Sequence, residues 1–301
     1  MKIRNLHIDV RVLIAFAAIY ILWGTTFLAI RIAVLEFPPL LTAGLRFFVA
    51  GTLLYAFMRV LRREPNPSLI EWRNLALVSV CMFVITYGAV FWAEQYVSSG
   101  ITSIIEATLP ITAIILEMFV FRTQRFEVRL FGAVLVGFCG VVLLFIGNGT
   151  QHLELVPCLA IFASGIAWTL GAVLSGQLTL PRSKPLTAGT EMMLGGAVLL
   201  VLSAISGEMH PVPHLSLRAG LALAYLIVFG SLIAFTAYVW LLGRMSVTRV
   251  ASHAYVNPLI AVALGYFVAA EIVTSRTLVS AALVLGSVSL ILTRRSQASQ
   301  V

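Results

Sequence analysis

Apolar runs of about 20 residues, separated by short polar gaps, fill this sequence from one end to the other. A helix of that length crosses a hydrocarbon layer roughly 30 Å thick, and few other folds tolerate the pattern. The runs lie at Val12 to Arg31, Leu40 to Val60, Leu75 to Glu94, Gly100 to Phe121 and Leu130 to Ile146. They continue at Val156 to Gln177, Leu186 to Ser206, Leu217 to Leu242, Val247 to Ala270 and Thr277 to Thr293. With 60% apolar and 11% charged residues, a water-soluble domain could not cover its surface with polar groups. The runs are too long for transmembrane strands and lack their alternation of apolar and polar residues. The expected fold is an all-α integral membrane protein of ten transmembrane helices. Lys2, Arg4 and Arg11 before the first run could imitate a signal peptide. That run exceeds a typical signal core, and Trp23-Gly24-Thr25-Thr26 makes a poor cleavage site, so it is read as a mature helix.

Basic residues sit in alternate gaps. Lys2, Arg4, Arg11, Arg59, Arg62, Arg63, Arg73, Arg122, Arg125 and Arg129 fall on one side, as do Arg182, Lys184, Arg244, Arg249, Arg294 and Arg295. The other side carries Arg31, Arg218 and Arg276, while Arg46 lies inside a span. Sixteen against three places both termini in the cytoplasm by the positive-inside rule.

The net charge of +8 is therefore a loop property rather than a basic face, and nucleic-acid binding is set aside. Cys81, Cys139 and Cys158 lie in or beside spans without pairing or metal-ligand spacing. No metal or cofactor is expected. The gaps are too short for a separate soluble domain, and no Walker sequence is present to hydrolyse ATP.

The two halves repeat. An offset of 145 aligns Trp23 with Trp168, Leu41-Thr42-Ala43-Gly44 with Leu186-Thr187-Ala188-Gly189, and Gly51 with Gly196. An offset of 148 aligns Pro110 with Pro258 and Phe119-Val120 with Phe267-Val268. The expected units are residues 1–150 and 151–301, five helices each. Five is odd, so the second copy must cross the bilayer inverted, a recurrent plan in which halves rock about a midplane site.

Ionisable groups in hydrocarbon cost several kcal/mol unless paired or wetted, so each is a candidate. Arg46 in the second span and Glu106 in the fourth lie at similar depth from one surface, within reach of a pair. Glu191 and His253 match in depth from the other surface. Either couple could hold helices together, latch a gate or touch substrate; structure or gating is favoured for Arg46 with Glu106. His253 changes charge near physiological pH when unperturbed, so it could carry a proton or meet a carboxylate; the alternative is a neutral core histidine. Glu94 and Glu117 stand near helix ends, where side chains reach water, and are set aside.

Trp23 and Trp168, related by the repeat, are candidates to line a cavity together with Thr26, Tyr87, Tyr255 and Asn257. Such a lining suits a substrate that is part apolar and part zwitterionic. Pro110 and Pro258 free the carbonyls of Glu106 and Ala254 and are expected to kink their helices. Gly132, Gly137 and Gly140 read as close helix packing.

Trp-Gly-Thr-Thr-Phe in the first helix, Arg46-Phe47-Phe48-Val49-Ala50-Gly51 in the second, and Pro in the fourth and ninth resemble the drug/metabolite transporter superfamily. More narrowly, they resemble its EamA-type exporters, which include the YddG amino-acid exporters. The resemblance covers nearly the whole chain. It implies a secondary transporter of a bacterial cytoplasmic membrane, exporting small metabolites, above all aromatic or neutral amino acids; apart from the resemblance, a monomer is expected. A substrate gradient or protons would drive it. Drugs or nucleotide-linked sugars are the alternative cargo, the latter calling for more cations than one buried Arg. A channel would need a continuous polar stripe, and an intramembrane enzyme a nucleophile or metal cluster that His253 does not have beside it.

Overall fold

Lipid offers the backbone no hydrogen-bond partners, so a chain this apolar must satisfy its amides internally, as helices do. The computed structural model describes residues 10–109, 111–112, 128–145, 154–211, 213–242, 244, 250 and 253–298, and all regular structure within them is helical. The helices of the first copy are α1 (Val10–Val34), α2 (Pro39–Leu61), α3 (Leu69–Ala93), α4 (Ser99–Glu106) and α5 (Val128–Phe145). Those of the second are α6 (Leu155–Gln177), α7 (Lys184–Ile205), α8 (Leu217–Leu241), α9 (His253–Ala269) and α10 (Ser275–Ala298). Among the described residues, six (α1 to α3 and α6 to α8) are long and apolar enough to cross a membrane. Shorter apolar stretches run through α5 and α9, at Phe131–Leu144 and Val256–Ala269.

Local sequence sets the ends. Ser68 and Glu71 form a reciprocal capping box that opens α3, with bonds of 2.7 and 3.3 Å. Ser216 caps α8 by accepting from the Ala219 amide at 3.0 Å. Pro39 opens α2, and Pro185 stands in the first turn of α7. Besides the π turn that ends α2 at Phe57–Leu61, two helices carry wide π turns within their length, α3 over Val80–Ile85 and α8 over Leu226–Ile233. Shifted by 145 positions the α3 turn falls on 225–230, overlapping that of α8, so the irregularity repeats.

The packing is inverted relative to a soluble protein. Ile14, Val60, Leu217 and Phe267 are exposed, whereas Arg46, Asn74, Glu94 and Glu191 are buried. An apolar exterior of this extent suits acyl chains rather than water.

The closest helix pair is α2 with α7, and glycine makes it. A Cβ on Gly44 would lie 2.9 Å from the Leu200 amide nitrogen, and one on Gly189 would lie 2.8 Å from that of Tyr55. On Gly51 a Cβ would run into the Met193 backbone, and on Gly196 into that of Phe48. Gly44 and Gly189 are repeat-mates, as are Gly51 and Gly196, so each contact recurs with the copies exchanged. Partner numbers fall as helix numbers rise, so α2 and α7 run antiparallel. The two copies are related by a two-fold operation that reverses one against the other.

The pair α5 and α10 obeys the same operation. Ser287 Oγ donates to the Ala133 carbonyl at 2.6 Å, and Ser280 Oγ to that of Gly140 at 2.5 Å. Gly137 and Gly140 face α10 as expected from their small size, but Gly132 does not: a Cβ there would meet nothing within 4 Å.

Carboxylates tie the copies together at one end of the bundle. Glu208, just after α7, accepts from the Leu40 and Leu41 amides at the start of α2, at 3.2 and 2.8 Å. Glu271, after α9, accepts from the Ser99 and Gly100 amides that open α4, at 2.9 and 3.2 Å. At the same end Arg218 approaches Glu36 to 3.7 Å.

Candidate functional site: buried charges on an aromatic belt

Rings from both copies form a continuous belt through the core. His253 lies edge-on to Trp23 at 5.0 Å, and Trp23 is 5.0 Å from Tyr238 and 6.5 Å from Phe235. Phe235 meets Phe83 at 5.6 Å, Phe83 meets Phe47 at 5.1 Å, and Phe47 meets Tyr87 at 4.5 Å. Tyr87 then reaches Trp168 at 6.1 Å, so the repeat-mates Trp23 and Trp168 stand far apart along one belt.

The π turns shape the belt's polar face. The indole Nε1 of Trp23 donates to the Gly230 carbonyl, at 3.1 Å, within the wide turn of α8. Beside it, Ser231 Oγ accepts from Arg46 Nε at 3.0 Å. Gly230 leaves room for Thr26 and Arg46: a Cβ there would lie 2.9 Å from Thr26 Cγ2 and 3.0 Å from Arg46 Nη2. The Thr26 hydroxyl is committed to its own helix, donating to the Trp23 carbonyl at 2.7 Å.

Arg46 is a buried cation enclosed by rings. Its guanidinium carbon stands 4.6 Å from the Phe47 centroid, 5.2 Å from Tyr87 and 5.9 Å from Phe91. Such contacts stabilise a desolvated cation by about 2 kcal/mol, less than removing it from water costs. Nη1 has no hydrogen-bond partner. The pair with Glu106 is not formed, because Glu106 instead accepts from Ser164 Oγ at 2.6 Å across the α4–α6 contact. Arg46 is instead held by α8 of the opposite copy.

Glu94 reverses the expectation that set it aside. It terminates α3 and so stands at a helix end, yet it is fully buried and both carboxylate oxygens lack partners. Arg31 covers that end by donating to the main-chain carbonyls of Glu94 and Val97 rather than to the carboxylate. Counting residues from a helix end gives depth along the axis, and it misses a helix end roofed by its neighbours. Tyr87, Phe91 and Glu94 recur at helical spacing on α3, and the first two face Arg46, so Glu94 continues the same stripe.

The second expected couple is also separate. The Nδ1 of His253 lies 3.3 Å from the Asn257 amide, one turn along α9. The amide orientation satisfying all neighbours turns its oxygen to His253 Nδ1 and its nitrogen to the carbonyls of Tyr20 and His253, each at 3.1 Å. His253 thus sits in a hydrogen-bonded contact joining α9 to α1. Glu191 is buried in α7 with one unpartnered oxygen. Pro258 lies within α9. Pro110, Glu117 and the side chain of Tyr255 fall outside the described residues. Among the described residues no group of His, Cys, Asp and Glu could hold a metal ion.

The sequence profile of the EamA-like transporter family matches residues 10–146 and again 155–293. A protein of Escherichia coli K12, named an uncharacterized inner membrane transporter, YedA, is 38% identical over 256 residues, 83% of this chain and 80% of that protein. The uncharacterized transporter YoaV of Bacillus subtilis is 21% identical over 278 residues, 91% of this chain and 94% of that protein. A solved crystal structure superposes with a TM-score of 0.64 at 18% identity, covering 95% of this chain and 98% of its own, a likeness of fold alone. With two profile matches spanning most of its length, the chain belongs to the EamA-like transporter family.

Proposed function

We propose that this chain is a ten-helix secondary transporter exporting amino acids, aromatic or neutral, across a bacterial cytoplasmic membrane by alternating access. The inner-membrane location follows that given for the related YedA protein. Residues 1–150 and 151–301 are the two moving halves, and both termini face the cytoplasm. The end carrying Glu36, Glu208 and Glu271 is then the outer one, closed in this conformation by the ties between copies.

One observation supports the cargo class above the others: a buried cation enclosed by aromatic rings and a buried carboxylate on the helix that supplies two of those rings each have unpartnered atoms. Rings suit the apolar part of a neutral amino acid and the charges its polar part. With one buried Arg, the belt offers too little positive charge for a nucleotide-linked sugar. Transport proceeds without cofactor, metal or covalent step, and the unit is a monomer.

Bacterial cells fed a phenylalanine- or leucine-containing dipeptide accumulate the free amino acid inside. Cells producing this chain are expected to hold less of it and release it faster than cells lacking the chain. Equal internal pools and release rates for every amino acid tried would contradict export of amino acids.

A further inference from the structure

Two features of the belt are left unexplained by packing. Arg46 presents Nη1 without a partner, and Glu94 presents both oxygens without partners, although the two are fully or almost fully buried. They sit on neighbouring helices, with Tyr87 and Phe91 of the Glu94 stripe in contact with the guanidinium. They are not in contact themselves, since no ion pair joins them within 4.0 Å. Contracting that gap would have satisfied both, yet Arg46 is held back by Ser231 and the rings. Other charges near Glu94 are already committed: Arg31 to main-chain carbonyls, Glu271 to the start of α4 and Glu106 to Ser164.

We propose that Arg46 and Glu94 together form a zwitterion site, Arg46 taking the α-carboxylate and Glu94 the α-ammonium of one amino acid. The proposal rests on the amino-acid reading above and assigns its charge recognition to named groups. An α-amino acid places opposite charges on adjacent carbons, so one molecule supplies both missing partners at once. Its side chain is then directed to the rings of Phe47, Tyr87 and Phe91. A ligand lacking either charge leaves one buried ion unpaired, and that penalty is the source of selectivity. Occupancy requires the copies to part, because Arg31 and Ser231 enclose the site in this conformation.

The test is competition against labelled leucine counterflow in liposomes holding the purified chain, using phenylalanine, phenylalaninamide, which lacks the carboxylate, and 3-phenylpropionate, which lacks the ammonium. Phenylalanine is expected to compete at least about tenfold more strongly than either analogue. In Arg46→Gln its advantage over the amide should vanish, and in Glu94→Gln its advantage over phenylpropionate should vanish. Competition by all three ligands within about threefold in the unmodified chain overturns the site. So does unchanged selectivity in both variants. Should the variants fail to fold, the competition in the unmodified chain decides alone. Absence of leucine and phenylalanine counterflow in the unmodified chain overturns the amino-acid reading itself, whereas unselective competition overturns only the pairing of charges.

Discussion

Trp23 shows how a single side chain can bind two copies of a repeat. Its indole donates across the bundle to the Gly230 carbonyl, while its ring packs on Tyr238 and against the edge of His253. Trp23→Phe keeps much of the ring and removes the donor, so the Gly230 carbonyl loses its bond across the bundle. Destabilisation of about 1 to 3 kcal/mol is expected, measured as a lowered melting temperature in detergent. An unchanged melting temperature would show that the bond carries no stability. At this scale the sequence was informative where chemistry is intrinsic to the residue type. An arginine between apolar neighbours announces itself, and Arg46 is buried as read. Glu94 was not legible, because its burial depends on Arg31 and the segment after α3 closing over it. Ser231 was not legible either: a serine in an apolar run signals nothing until a guanidinium arrives from another helix. The expected couples failed for a related reason, since equal depth in a membrane does not fix which helix faces which.

Helix contact here depends on backbone approach, and the α2–α7 crossing gives the sharpest contrast. A Cβ at Gly51 would overlap the Met193 backbone, whereas a Cβ at Gly132 would meet nothing within 4 Å. Gly51→Ala should therefore destabilise the protein by about 1 to 3 kcal/mol, as overpacking does. Gly132→Ala should be neutral or slightly stabilising, because alanine is the better helix former. Melting curves of the two variants read the difference, and equal curves would refute the close crossing. The repeat that pairs these helices was visible as matched Thr-Ala-Gly segments. The π turns of α3 and α8 were not, since nothing in the composition of Val80–Ile85 or Leu226–Ile233 distinguishes a wide turn from a regular one. They matter because the wide turn of α8 presents Gly230 and Ser231 to Trp23 and Arg46. Pro258, expected to kink α9, lies inside a helix that continues to Ala269.

For the molecule as a whole, one operation organises the observations: two related copies, reversed against each other, with α2 on α7 and α5 on α10. An inverted second copy was expected from the spans and the alternating loop charges, and the antiparallel crossings of α2 on α7 and α5 on α10 fit it. The sequence did not show that carboxylates of the second copy, Glu208 and Glu271, cap helices of the first at one end. In an alternating-access protein such ties belong to one of two end states and must break once per cycle. The proposed cycle carries amino acids, and counterflow by the purified chain in liposomes tests that proposal. Liposomes preloaded with unlabelled leucine or phenylalanine should take up the labelled amino acid transiently above the level of empty liposomes. Uptake no greater than in empty liposomes, for these and every other neutral amino acid, would contradict it.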